Sequence, residues 1–247
     1  MLEVRQLCKS FDRRQVVHQL SFSASPGQVI AFLGPNGAGK STSMKMLSGF
    51  LAADSGSISL SGLCMQRQRR LAQQQLGYLP EGAPSYGEMQ VADFLRFIGR
   101  MRGLSKTQLQ QRLQQVSQQL QLENVLKQRI STLSKGFQRR VGLAQAIIHQ
   151  PKLLLLDEPT DGLDPNQKHQ VRELIQQLAS ERIIIISTHI LEEVSTLCNR
   201  VLLLNHGQLL VDETPQQFLQ RAPHDSRLNT SQALDLVFRQ LTCGTCA

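Results

Sequence analysis

Gly34, Pro35, Asn36, Gly37, Ala38, Gly39, Lys40, Ser41 and Thr42 spell GPNGAGKST, and residues of these types at this spacing could hold a polyphosphate. They fit the phosphate-loop template G-x-x-x-x-G-K-[ST] at Gly34, Gly39, Lys40 and Ser41. Glycine at 34, 37 and 39 lets the backbone turn where a side chain would clash, so that N–H groups can face phosphate oxygens. Lys40 supplies a point charge for the terminal phosphates, Ser41 a hydroxyl suited to Mg²⁺, and the helix they open a positive end. A second group is acidic. Asp157 and Glu158 close the run Leu153 to Leu156, which reads as a strand buried on both faces, so the carboxylates emerge where parallel sheets bind ligands. Asp157 is placed to bind Mg²⁺ or its water shell and Glu158 to polarise an attacking water, although adjacent acids at a strand end could also cap a helix. His189, after another apolar strand, offers an imidazole donor to charge on phosphoryl oxygens. Alone, a histidine there is more often a cap or a surface residue.

These groups need elements to position them. The run Val29 to Leu33 feeds the phosphate loop, and Met44, Leu47 and Leu51 give the following helix an apolar face. Residues 2 to 11, the polar turn Asp12, Arg13, Arg14, and Val16 to Phe22 suggest paired strands, and another strand is expected around Ile58 and Leu60. Leu76 to Leu79 reads as a strand ending at Pro80. Two amphipathic helices follow, one through Phe94, Leu95 and Ile98, the other through Leu109, Leu113, Val116 and Leu120 with a solvated Gln and Arg face. A third runs from LSKG at 133 to 136 to the break at Pro151. A helix over 166–179, a strand over 182–187, a short helix and strands around Leu202 and Leu209 complete the alternation. This predicts an α/β fold with a mainly parallel core sheet, an antiparallel β portion and a helical insertion over about residues 88 to 150. The domain is expected over 1–220, followed by a tail over 221–247 with a loop at 222–229 and one helix over 232–241.

Bulk properties narrow the setting. A 247-residue chain that is 40% hydrophobic can build a core, and its formal charge of +8 suits polyphosphate, nucleic acid or an anionic membrane face. With 4% aromatics and no Trp, stacking platforms for single strands are poorly supplied, and no nucleic-acid partner is expected. The longest apolar runs are too short to span a bilayer and MLEVRQLCKSF has no signal-peptide core, which predicts a cytosolic chain. Five scattered cysteines are too few for a disulfide framework. Cys243 and Cys246 form a C-x-x-C that could complete a zinc site only with a second copy, and an exposed tail is the simpler account.

Four stretches in order resemble the ATP-binding subunit of ABC transporters over about residues 2 to 215: GPNGAGKST as Walker A, LSKGFQRRVGLAQAI as the signature region, LLLLDEPTDGLDP as Walker B with D-loop, and ISTHILEEV as the H-loop. The resemblance implies a P-loop NTPase of the ABC type using ATP and Mg²⁺. It implies that Phe11 stacks on adenine, although a buried core aromatic is the other account of that residue. It further implies that Asp157 organises Mg²⁺, Glu158 is the catalytic carboxylate, His189 contacts the γ-phosphate and Asp164 lies at a dimer seam. Ser134, Lys135 and Gly136 stand where the family grips the nucleotide of a second subunit, so a dimer clamped by ATP is expected, as a homodimer.

Two of the motifs depart from the usual pattern. Lys135 and Phe137 replace the third and fifth residues of LSGGQ, and Glu81 stands where many members have the Q-loop glutamine. A carboxylate at 81 can ligate Mg²⁺ but cannot donate an amide hydrogen bond. YLPE at 78 to 81 together with LSKGF is similar to subunits of ABC-2-type exporters, including drug, antibiotic and gliding-motility systems, which favours export over import. The resemblance implies a polytopic permease as partner and a peripheral place on the inner face of the cell membrane. A soluble ABC ATPase acting on nucleic acid or ribosomes, and a regulatory module without turnover, are the competing expectations; a single phosphate loop without sustained heptads argues against the former and Glu158 against the latter.

Overall fold

The computed structural model describes residues 1–82, 86–222 and 230–243, without the side chains of residues 231 and 243. Strands β1 (Leu2–Phe11) and β2 (Arg14–Ala24) form the expected hairpin, with shifts of register that break strict alternation between Val4 and Ser10. Next come β3 (Val29–Leu33), α1 (Lys40–Leu47), β4 (Ser55–Leu60), the short β5 (Leu63–Cys64), α2 (Arg69–Gln74) and β6 (Leu76–Leu79). Helix α1 stops at Leu47, so Leu51 lies beyond the helix that its spacing suggested.

The insertion consists of α3 (Val91–Met101), α4 (Lys106–Gln119) and α5 (Lys135–Ile147). Ser105 starts α4 with a capping box, its hydroxyl accepting from Gln108 N while the Gln108 side chain accepts from Ser105 N. Leu109 and Val116 turn inward and the glutamines outward, as the amphipathic pattern requires. The chain then alternates β7 (Leu153–Asp157), α6 (Pro165–Ala179), β8 (Ile183–Ser187), α7 (Leu191–Leu197), β9 (Arg200–Asn205), β10 (Gln208–Glu213), α8 (Pro215–Gln220) and α9 (Thr230–Cys243).

Two sheets result, an antiparallel one in the order β2-β1-β4-β5 and a larger one in the order β10-β9-β3-β8-β7-β6. In the larger sheet every pairing except β9 with β10 is parallel. Its inner strands β3, β7 and β8 are buried along their whole length because both faces are covered. Leu154, Leu156, Ile184 and Ile186 pack with the insertion helices, α6 and α7, whereas Leu153, Leu155, Ile183 and Ile185 pack with α1 and the antiparallel sheet. Each such fully buried side chain contributes roughly 1.5–3 kcal/mol. Parallel register brings Leu79, Leu33, Asp157 and Ser187 to one edge of the sheet, with Asp157 directly opposite Ser187.

Gly77 of β6 fixes how α5 sits on the sheet. A Cβ there would stand 2.1 Å from the carbonyl oxygen of Ala146, so a residue without a side chain is required for the helix to seat. The guanidinium of Arg112 on α4 binds the same end of α5, donating to the carbonyls of Ile148 at 3.0 Å and Ile147 at 3.1 Å. Helix α9 buries Leu234 and Val237 in the core shared by the insertion and the sheet. Residues 223–229 of the expected loop, Cys246 and the side chain of Cys243 lie outside the described residues. Among the described residues no helix is long and apolar enough to cross a membrane.

Candidate functional site

The phosphate loop emerges from β3 and closes on α1. Gly34 has φ +154° and no room for a side chain, since a Cβ would lie 2.2 Å from the Leu204 carbonyl oxygen. Gly39, with φ +97°, occupies the residue before α1. Lys40 is almost wholly buried and its Nζ donates to the carbonyls of Gly34 at 2.6 Å and Pro35 at 3.0 Å. Burial lowers its pKa, and the nearby Glu158, Asp157 and Glu81 act the other way. Ala38 is packed in the core beneath the loop, its N–H bonded to Pro35 O at 3.1 Å.

A cleft of about 250 Å³ opens over this loop, lined by Asn36, Gly37, Gly39, Lys40, Ser41 and Thr42 on one side and by Glu81, Asp157 and Glu158 on the other. Val16 of β2 adds an apolar wall that the sequence did not single out. Three oxygen-bearing side chains, Ser41, Glu81 and Asp157, therefore share one opening, the donor set a hard divalent cation takes alongside phosphate oxygens and water. Asp157 is buried, and the hydroxyl of Ser187 donates to its Oδ1. Beneath the acids, the buried Tyr78 hydroxyl has no hydrogen-bond partner among the described residues, and its pKa is pushed up to about 12 by burial and then by Asp157 and Glu81.

Glu158 follows β7 with φ +50°, a left-handed conformation that costs a non-glycine residue about 1–2 kcal/mol. Its N–H donates to Ser187 O at 3.0 Å, and its Oε1 lies 2.8 Å from Nδ1 of the more exposed His189. The strain is held by neighbours: β8 takes the N–H, and Arg139 of α5 donates to the carbonyls of Asp157 and Glu158. Behind them, the buried Glu193 carboxylate accepts from the hydroxyls of Thr160 and, at 2.8 Å, Thr188, tying the segments after β7 and β8 together.

The remaining expected residues stand away from this cleft. Phe11 is exposed at the end of β1, which removes the buried-core account of it, and Lys9 Nζ lies 5.6 Å from its ring centroid. Ser134 and Lys135 are exposed at the start of α5, where Ser134 Oγ accepts from Phe137 N. Gly136 packs against Gln167 of α6, and Asp164 caps α6 by accepting from Gln167 N at 2.9 Å. The starts of α5 and α6 are thus neighbours. Arg139, Ser187 and Glu193 were not anticipated, because their partners are backbone carbonyls or residues distant in sequence.

Residues 17–161 match the family described as ABC transporter. A Bacillus subtilis uncharacterized ABC transporter ATP-binding protein, YxlF, is 36% identical over 85% of this chain and 69% of its own length. The linearmycin resistance ATP-binding protein LnrL of the same organism is 33% identical over 92% of this chain and 73% of its own. The Nod factor export ATP-binding protein I of Rhizobium sp. strain N33 is 37% identical, covering 86% of this chain and 70% of that one. A solved ATP-binding subunit of an ABC transporter superposes with a TM-score of 0.87 at 28% identity, covering 98% of this chain and 99% of its own. A phosphate loop faced by acids and a histidine across one sheet edge is what these relatives would need to handle ATP, and the chain belongs to the ABC transporter family as a nucleotide-binding subunit and ATPase.

Proposed function

We propose that this subunit hydrolyses Mg-ATP at the cleft between the phosphate loop and Glu158, closes as a homodimer around two nucleotides, and drives a separate membrane permease in export. The observation that carries the hydrolytic reading is the Glu158 carboxylate, held at the cleft in a strained backbone conformation and paired with His189 at 2.8 Å. The loop N–H groups and Lys40 bind the β- and γ-phosphates. Ser41, Asp157 and Glu81 would hold Mg²⁺, which when bound neutralises charge on the phosphate oxygens. Glu158 accepts a hydrogen bond from the attacking water and orients it in line with the γ-phosphorus; His189 donates to the γ-phosphoryl oxygens as their charge redistributes. Phe11 offers its exposed ring to adenine.

Ser134, Lys135 and Gly136 line no part of the cleft in their own chain, and the two forward residues are exposed. That arrangement supports their serving the nucleotide of a second copy, with Asp164 nearby at the seam. Export is favoured by the linearmycin-resistance and Nod-factor-export relatives. A peripheral position on the inner face of the membrane follows from that partnership.

The test is Glu158→Gln in the full chain. It should bind ATP, lose at least about 10²-fold in kcat, and accumulate as a dimer by light scattering with ATP. Near-normal turnover would show that another group orients the water. Capture of the tagged chain from solubilised membranes should bring down a stoichiometric polytopic protein; ribosomal proteins or nucleic acid in its place would favour a soluble role.

A further inference from the structure

Arg139 lies on α5, five residues after Ser134, and its side chain is buried at the far end of the sheet edge that carries the acids. Its guanidinium reaches four backbone carbonyls on two different loops. Nη1 donates to Pro80 O at 3.0 Å, Nη2 to the carbonyls of Asp157 and Glu158, and Nε approaches Pro159 O at 3.5 Å. Pro80 immediately precedes Glu81, and the other three span the Asp157–Glu158 turn. One side chain therefore sets the height of both acid-bearing loops against α5.

The chemistry suits arginine alone. A planar fork of N–H donors can serve several carbonyls at once with a fixed geometry, whereas a lysine ammonium is a compact point charge on a flexible stem. Among the described residues no carboxylate side chain takes a hydrogen bond from this guanidinium, and its donors are given to the backbone. Burial lowers its pKa while Asp157, Asp161, Glu158 and Glu81 act in the opposite direction, so the cation is kept within a field of four acids. The left-handed φ of Glu158 is a conformation that the chain would leave unless something held it, and its carbonyl is one of the groups Arg139 holds.

We infer that Arg139 is a positioning residue for hydrolysis: through the carbonyls of Asp157 and Glu158 it fixes the turn that presents the Glu158 carboxylate, and through Pro80 it keeps the Glu81 loop in register with it. This rests on the reading of Glu158 as the water-orienting carboxylate. Arg139 is not among the residues that line the cleft, so it should act on turnover and leave the phosphate cradle alone. A shift of about 1 Å in a catalytic group can cost about 10²-fold in rate.

The experiment compares the full-length wild type with Arg139→Gln, Arg139→Lys and Glu158→Gln in melting temperature, ATP Kd measured by a fluorescent ATP analogue without Mg²⁺, KM and kcat. Arg139→Gln should lower kcat by about 10- to 100-fold with the Mg²⁺-free Kd within about threefold of wild type. Arg139→Lys, which keeps the charge and much of the volume, should fold with a melting temperature close to wild type and recover only part of kcat. If Arg139→Gln does not fold, the same kcat-specific loss read in Arg139→Lys carries the test. Wild-type kcat in Arg139→Lys and in any folded Arg139→Gln, alongside an inactive Glu158→Gln, would overturn the positioning role. So would a parallel loss of ATP affinity and kcat, which marks a merely structural residue. Normal turnover in Glu158→Gln would instead remove the underlying reading of Glu158, whatever the Arg139 variants do.

Discussion

Nδ1 of His189 lies 2.8 Å from Oε1 of Glu158, joining the ends of the adjacent strands β7 and β8 across the cleft mouth. The contact leaves Nε2 of the imidazole as the nitrogen free to face a ligand, and it gives the carboxylate a fixed neighbour while its backbone is held in a left-handed turn. Two groups that the sequence placed thirty-one residues apart thus act as one unit.

That unit predicts a selective loss. His189→Ala should lower kcat by about 10²-fold or more while ATP Kd changes by less than about tenfold, because the lost donor matters most where charge redistributes. Steady-state hydrolysis and equilibrium nucleotide binding on the same preparation check this. An equal fall in affinity and turnover would mean that His189 contributes ground-state binding instead.

Lys40→Ala should do the reverse. It removes the buried cation whose Nζ now binds the Gly34 and Pro35 carbonyls, and with it the charge offered to phosphate. ATP affinity should fall at least about tenfold, equivalent to about 1.4 kcal/mol, before any effect on folding is seen. Calorimetric titration with ATP measures it, and an unchanged Kd would remove the phosphate-cradle assignment.

Acid should destabilise the fold through His149. Burial and then Arg102 lower its pKa to about 4, against a hydrogen bond with the Leu76 carbonyl that favours the proton. In the unfolded chain it titrates near 6.5, so the unfolded state takes up a proton at a pH where the folded state does not. The stability tied to neutral His149 is therefore complete above about pH 6.5 and declines as pH falls toward 4. At pH 5 the wild type should have lost about 2 kcal/mol relative to neutral pH from this residue, a loss that His149→Gln should largely lack. Urea denaturation followed by circular dichroism at pH 7.5 and 5 separates the two.

The apolar strands were legible because burial on both faces leaves no alternation to misread: Leu153 to Leu156 and Ile183 to Ile186 could be little else between polar loops. The phosphate loop was legible because its geometry demands glycine and its chemistry demands lysine. Helices α2 and α8 were not, since six residues are too few to display a period. The face of Phe11 could not be counted from Leu7, because shifts of register lie between them. Arg139 was invisible for a different reason. It is one of two consecutive arginines, both buried, and its backbone-carbonyl partners have no signature in a sequence.

The seating of α5 on Gly77 makes that helix a lever with its fulcrum at one end. Its last turn is pinned, by the close approach of Ala146 and by Arg112, while its start carries the exposed Ser134 and meets α6 through Gly136. Thirteen residues make a rod of about 20 Å, so a tilt of about 10° about the pinned end carries the tip through about 3 Å. Arg139 sits roughly midway, about 10 Å from the fulcrum, and travels about 2 Å in the same swing. A hydrogen bond does not survive that displacement, so a pull strong enough to tilt α5 that far would also release the turn that carries Glu158.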